Sequence, residues 1–103
     1  MARLEPIHIL YVNPDIADLI PGFLENRHKD IKTIGEALAR GDFETIRFFG
    51  HSMKGAGGSY GFDAITDMGR SLEQAAIAQD AGGIKKCLQE LFAYLDSIEV
   101  VYK

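Results

Sequence analysis

The chain has 103 residues, 47% of them hydrophobic and 25% charged, which is enough for one compact domain with a single core and too little for two. A formal net charge of -4 and a pI of about 5.2 exclude a general electrostatic attraction to nucleic acid or to an anionic membrane, and leave proteins as the obvious partners. Cys87 is the sole cysteine, so neither an internal disulfide nor a cysteine-based metal cluster can form. This fits a reducing, cytoplasmic setting, with Cys87 read as a small buried hydrophobe.

The opening Met1-Ala2-Arg3-Leu4-Glu5-Pro6 carries no apolar leader core. No apolar stretch approaches the roughly 20 residues needed to cross a bilayer, so a soluble protein is expected. Residues 1–12 form an N-terminal arm or short element. Ile7, Ile9, Leu10 and Val12 would suit a short strand, a short helix or an extended arm lying on the rest, and the segment stays unassigned.

Asn13-Pro14-Asp15 then starts a helix, with Asn13 as cap and Pro14 at the first helical position, where its missing N–H costs nothing. From there Ile16, Leu19, Ile20, Phe23, Arg27, Ile31, Ile34 and Leu38 recur at steps of three and four, one helical stripe. Pro21 should kink or restart that helix. Arg40-Gly41-Asp42 stops it and starts the next, and so short a link implies an antiparallel pair.

A second helix runs from Asp42 to about Tyr60. Gly61-Phe62-Asp63 repeats the punctuation, and a third helix turns Ile65, Met68, Leu72, Ala75 and Ala76 inward. A third break falls at Gln79 to Gly83. The last helix places Ile84, Cys87, Leu88, Leu91, Leu95 and Ile98 on one side, with no strand pattern expected beyond the N-terminal segment. The expected fold is all-α: an antiparallel, up-down-up-down four-helix bundle over residues 13–103, with the short N-terminal segment packed on or beside it.

Eleven glycines are many for a helical chain, and Gly50, Gly55, Gly57, Gly58 and Gly61 crowd into one stretch. On a wheel at about 100° per residue, Ile46, Phe49, Met53, Ala56, Gly57 and Tyr60 gather on the core side of the second helix. Opposite lie Glu44, Arg47, His51, Lys54, Gly55 and Gly58, with Phe48 at the margin.

Glycine inside a helix costs about 1 kcal/mol relative to alanine, so Gly55 and Gly58 on the exposed side are better explained by access for a partner than by stability. Gly57, on the inner side, suits tight helix packing. Lys54 lies one turn from His51. An imidazole is substantially neutral at pH 7 and can attack through a ring nitrogen. An ammonium beside it suits the charge of a transferring phosphoryl group.

There is no GxxxxGK[ST] run and no glycine-rich strand-to-helix loop, so no nucleotide site is expected and the phosphoryl group must come from another protein. Without such neighbours His51 would read as an ordinary surface histidine, and Lys54 as a solvated charge. Arg47 and Phe48 would belong to a partner-contact surface, with Phe48 tucked against the adjacent helix as the alternative. His8 and His28 lack any such context. No histidines or acids stand at a metal-binding spacing, so neither metal nor cofactor is expected.

The run Gly50-His51-Ser52-Met53-Lys54-Gly55-Ala56-Gly57-Gly58-Ser59-Tyr60-Gly61-Phe62 resembles the motif of the histidine-containing phosphotransfer (HPt) family, H-x-x-K-G with a further glycine downstream. The similarity takes in Asn13-Pro14-Asp15, Phe23-Leu24, the Arg40-Gly41-Asp42 hinge and Leu72-Glu73. It implies phosphorylation of His51 on Nε2, a steadying role for Lys54 and access at Gly55.

It also implies passage of the phosphoryl group between receiver aspartates, or acceptance from a hybrid sensor histidine kinase, by a carrier that is not an enzyme and has no nucleotide site of its own; a monomer is expected. Any metal ion belongs to the receiver. Some members place a glutamine on the neighbouring helix to hydrogen-bond the histidine ring. Glu73, followed by Gln74, falls there by spacing, either to orient the ring or as a solvated helix glutamate. A helical adaptor that binds a receiver without carrying phosphate is the rival reading.

Overall fold

A computed structural model describes residues 8–103. The first part of the expected arm, Ile7 included, and the side chain of His8 lie outside the described residues. The elements in order are β1 (His8–Val12), a 3-10 helix (Pro14–Leu19), α1 (Ile20–Ala39), α2 (Phe43–Tyr60), α3 (Asp63–Ile77), α4 (Ala81–Ser97) and β2 (Ile98–Tyr102).

The three links between helices are built alike. Each helix ends in a residue of left-handed conformation: Gly41 at φ 71°, Gly61 at φ 81° and Gln79 at φ 54°. The residue after it donates its N–H back to the preceding helix, Asp42 to Ala37, Phe62 to Gly57 and Asp80 to Ala75, at 2.8 to 2.9 Å. Orphan carbonyls are satisfied in this way. That same residue is the N-cap of the following helix.

Asp42 accepts from the Thr45 amide at 3.2 Å and Asp80 from the Gly83 amide at 3.0 Å. Phe62 makes no side-chain cap, because its ring has no acceptor atom; the ring is instead fully buried. In the third break the left-handed residue is therefore Gln79, while Gly82 and Gly83 sit in the first turn of α4.

Asn13 caps the 3-10 helix, accepting from the Asp15 amide at 2.9 Å. The α-helix proper starts at Ile20 with Pro21 in its first turn, so the proline restarts the helix. Leu19, assigned to the inner stripe from sequence, is 53% exposed, because the three-residue turn of the 3-10 segment breaks the 3.6-residue phase. Arg27 keeps its place in the stripe by lying over the Phe23 ring at 4.8 Å and pairing with Asp30 at 2.8 Å.

The core takes fully buried isoleucines from every helix, Ile20 and Ile34 from α1, Ile46 from α2, Ile65 from α3 and Ile84 from α4, with Met53, Phe62, Leu72 and Leu91 among them. Each helix packs on its sequence neighbours and α4 returns to α1, closing the bundle. The α2–α3 contact is the most extensive of these. No helix among the described residues is long and apolar enough to cross a membrane.

The C-terminal end departs from expectation. α4 stops at Ser97 and Ile98 turns extended, at φ -81° and ψ 147°. Residues Ile98–Tyr102 then pair in parallel with β1, His8 opposite Ile98 through Val12 opposite Tyr102. Ile-Glu-Val-Val-Tyr is rich in β-branched residues. Its partner strand lies at the other end of the chain, so no local pattern announces the pairing.

A candidate histidine site on helix α2

α2 has three faces where the wheel allowed two. Ile46 and Met53 are buried, and Phe49, Ala56 and Tyr60 pack partly buried around them. Glu44, Arg47, Phe48, His51, Gly55 and Gly58 are exposed. Between these faces runs the seam with α3, where Gly50 and Gly57 are buried.

A Cβ added at Gly50 would lie 2.6 Å from the Glu73 amide nitrogen and 2.9 Å from the Gly69 carbonyl oxygen, and one at Gly57 would lie 2.6 Å from the Thr66 nitrogen. From the other side, a Cβ on Gly69 would come within 2.5 Å of the Lys54 nitrogen. Backbone meets backbone along this line, so only glycine fits. Early residues of α2 face late residues of α3, and the two helices run in opposite directions. Thr66 Oγ1 adds a tie across the seam, donating to the Lys54 carbonyl at 3.2 Å.

The close approach brings Glu73 of α3 to the exposed histidine. Its Oε2 lies 3.2 Å from Nδ1 of His51, and its Oε1 accepts from Lys54 Nζ at 2.8 Å. The His51 side chain is 70% exposed and that of Glu73 only 17%. Lys54 is half-buried at the seam rather than free in solvent as the wheel placed it, since a helix with two neighbours has two contact faces.

The Lys54 hydrogen bond is the main cause that holds the Glu73 carboxyl below its ordinary value. Desolvation opposes it, while the charge of Lys54 and the His51 contact assist. An ionised carboxylate only accepts, so the attractive arrangement puts the ring proton on Nδ1 and leaves the lone pair on Nε2.

The other expected site residues surround this triad. Glu44, Arg47, Phe48, His51 and Glu73 line one surface groove. Arg47 is tied to Glu44 at 3.0 Å. Phe48 is not tucked under the adjacent helix. It is 65% exposed, with its ring edge-on to Phe49 at 5.9 Å. A Cβ on Gly55 would meet nothing within 4 Å, and one on Gly58 only Thr66 Oγ1 at 3.7 Å, so packing within the chain does not require glycine at either position.

His28 is exposed and distant in sequence from this group. In the sequence Gly50 stands out only as one of the crowded glycines, and Thr66 and Gly69 are given no role. The signal for Gly69 was a glycine in mid-helix, where it carries a cost without a visible return.

The exposed His51 imidazole lies on the surface of a four-helix bundle, with its Nδ1 against Glu73 of the neighbouring helix. The Hpt domain family model matches residues 18–100, and the chain belongs to that family. Comparison with curated proteins and with solved structures returned no match. Hpt domains are phosphocarrier modules that act in histidine phosphotransfer within two-component phosphorelays and interact with receiver domains and kinases.

Proposed function

We propose that His51 is the phosphoacceptor, taking a phosphoryl group from a receiver aspartate or a hybrid sensor histidine kinase and passing it to another receiver. The observation that carries this reading is the contact of Glu73 Oε2 with His51 Nδ1, which leaves the exposed Nε2 with its lone pair toward solvent. Attack by Nε2 on phosphorus forms the N–P bond as the P–O bond to the donor carboxylate breaks, its electron pair leaving with that carboxylate.

Lys54, held at the site by Glu73, supplies positive charge to the phosphoryl oxygens. Glu73 orients the ring from the side away from the incoming group. Gly55 and Gly58 leave the helix surface low, and Phe48 and Arg47 offer contact area beside the histidine. The carrier works as a monomer in the cytoplasm, with the metal ion supplied by the receiver.

Incubation with each phosphorylated receiver of the source organism should yield phosphohistidine on the native chain and none on His51→Gln. Labelling that persists in His51→Gln would sink the assignment. Receiver binding that survives His51→Ala with no phosphohistidine on the native chain would favour a non-carrying adaptor. Lys54→Ala should slow transfer about fivefold, the equivalent of about 1 kcal/mol between charges in contact near water.

A further inference from the structure

We infer that the negative charge of Glu73, beyond its hydrogen bond, sets how readily a phosphoryl group leaves His51. The inference rests on His51 as phosphoacceptor. When Nε2 attacks phosphorus and Nδ1 keeps its proton, the ring becomes a phosphoryl-imidazolium cation, and no proton has moved. In the onward step a receiver carboxylate oxygen attacks phosphorus, the N–P bond breaks, and its electron pair returns to Nε2. The ring then departs as neutral imidazole, still protonated on Nδ1. Had Nδ1 lost its proton meanwhile, the leaving group would be an imidazolide anion, a far poorer one.

Transfer therefore depends on keeping Nδ1 protonated while the ring carries phosphate. Glu73 Oε2 stands 3.2 Å from that nitrogen, on a side chain only 17% exposed, and is a counter-ion for the cation. A neutral amide there would keep the hydrogen bond and lose the charge.

Other charges at the site offset this only in part. On α2, Lys54 Nζ meets the second oxygen of Glu73 at 2.8 Å and takes up a share of its charge, and Arg47 is paired with Glu44 at 3.0 Å. On α3, Arg70 is engaged by Asp67 at 3.1 Å. The phosphoryl group, on Nε2, lies across the ring from the carboxylate, so orientation and counter-charge come at little cost in repulsion.

The test charges the native chain, Glu73→Gln and Lys54→Met with phosphoramidate, a small-molecule donor. It follows Nδ1 of phosphohistidine by nitrogen NMR over pH, and phosphoryl loss to a receiver over the same range. The glutamine variant should titrate about one pH unit lower, the size of effect an opposite charge has at this separation near water. Its transfer should fall off at correspondingly lower pH.

Lys54→Met, which leaves Glu73 uncompensated, should titrate higher than the native chain. Opposite shifts are what a charge effect requires and a packing effect does not. Coincident titrations in all three proteins would overturn this inference while leaving the phosphoacceptor standing. Absence of phosphohistidine on the native chain would overturn both.

Discussion

Two glycines one turn and a little apart on α2, Gly50 and Gly55, should respond to alanine with opposite signs. At Gly55 the added methyl meets nothing within 4 Å, and the helix gains the propensity difference, about 0.5–1 kcal/mol. At Gly50 the methyl would stand 2.6 Å from the Glu73 nitrogen and 2.9 Å from the Glu73 Cα and the Gly69 oxygen, all of it backbone. Ordinary contact requires the helices to part by about 0.8 Å, and overpacking of this kind costs about 1–3 kcal/mol.

Against the propensity gain, Gly50→Ala should lose about 1–2 kcal/mol net. For a domain of this size each kcal/mol moves the melting temperature by about 4–8 °C. Urea and thermal unfolding followed by circular dichroism measure both variants. If Gly50→Ala proves as stable as Gly55→Ala, the seam is not as tight as the backbone distances require. Gly55→Ala has a second readout. It should accept phosphate from phosphoramidate normally yet transfer more slowly with a receiver, since the methyl intrudes only when a partner arrives.

Further expectations follow from the cap, the links and the strand pair. Asp42 is held below the ordinary carboxylate value, chiefly by the Thr45 hydroxyl and then the Thr45 amide. A depressed folded-state pKa adds stability that is present in full above the unfolded value and lost as pH falls through the folded one. Asp42→Asn should therefore flatten the acid limb of a stability-against-pH curve, and an unchanged limb would remove Asp42 from its cause.

Gln79→Gly relieves a left-handed side chain and should stabilise by about 1 kcal/mol in denaturant titrations. Ile46→Ala empties a fully buried position and should cost about 2–5 kcal/mol. Deleting residues 1–12 removes Val12 and Leu10 from the packing, worth about 1.5–3 kcal/mol for each when fully buried. Residues 13–103 should stay folded, and loss of the helical signal would show that the strand pair is integral to the bundle.

Much of the bundle was legible because its instructions are local. Asn13, Gly41, Asp42 and Gly61 announce starts and stops by chemistry that acts within a few residues, and the isoleucines mark one face of each helix. What escaped depends on two distant segments meeting. β2 continues the apolar spacing of α4 through Ile98, so periodicity carried the helix one residue too far and missed the strand. Gly50 and Gly69 have no side chain to register on a hydropathy wheel, and their use is visible only with α3 beside α2. Lys54 looked solvent-facing for the same reason. His51 and Gly55 were legible because exposure is a property of one helix, whereas the bridge from Glu73 to both His51 and Lys54 is a property of a pair.

The glycine seam also sets a length scale. Helices in ordinary contact stand about 8–10 Å apart, and Gly50 and Gly69 bring α2 and α3 together with backbone against backbone. At that spacing a glutamate on α3 reaches both the imidazole and the ammonium of α2. A wider gap would strand the carboxylate short of one or the other. Positions 50, 69 and 73 therefore act as one gauge, and their substitutions should combine non-additively in double-mutant cycles. Alanine at either glycine would mute the effect of changing Glu73, because the reach that gives that residue its influence would already be gone.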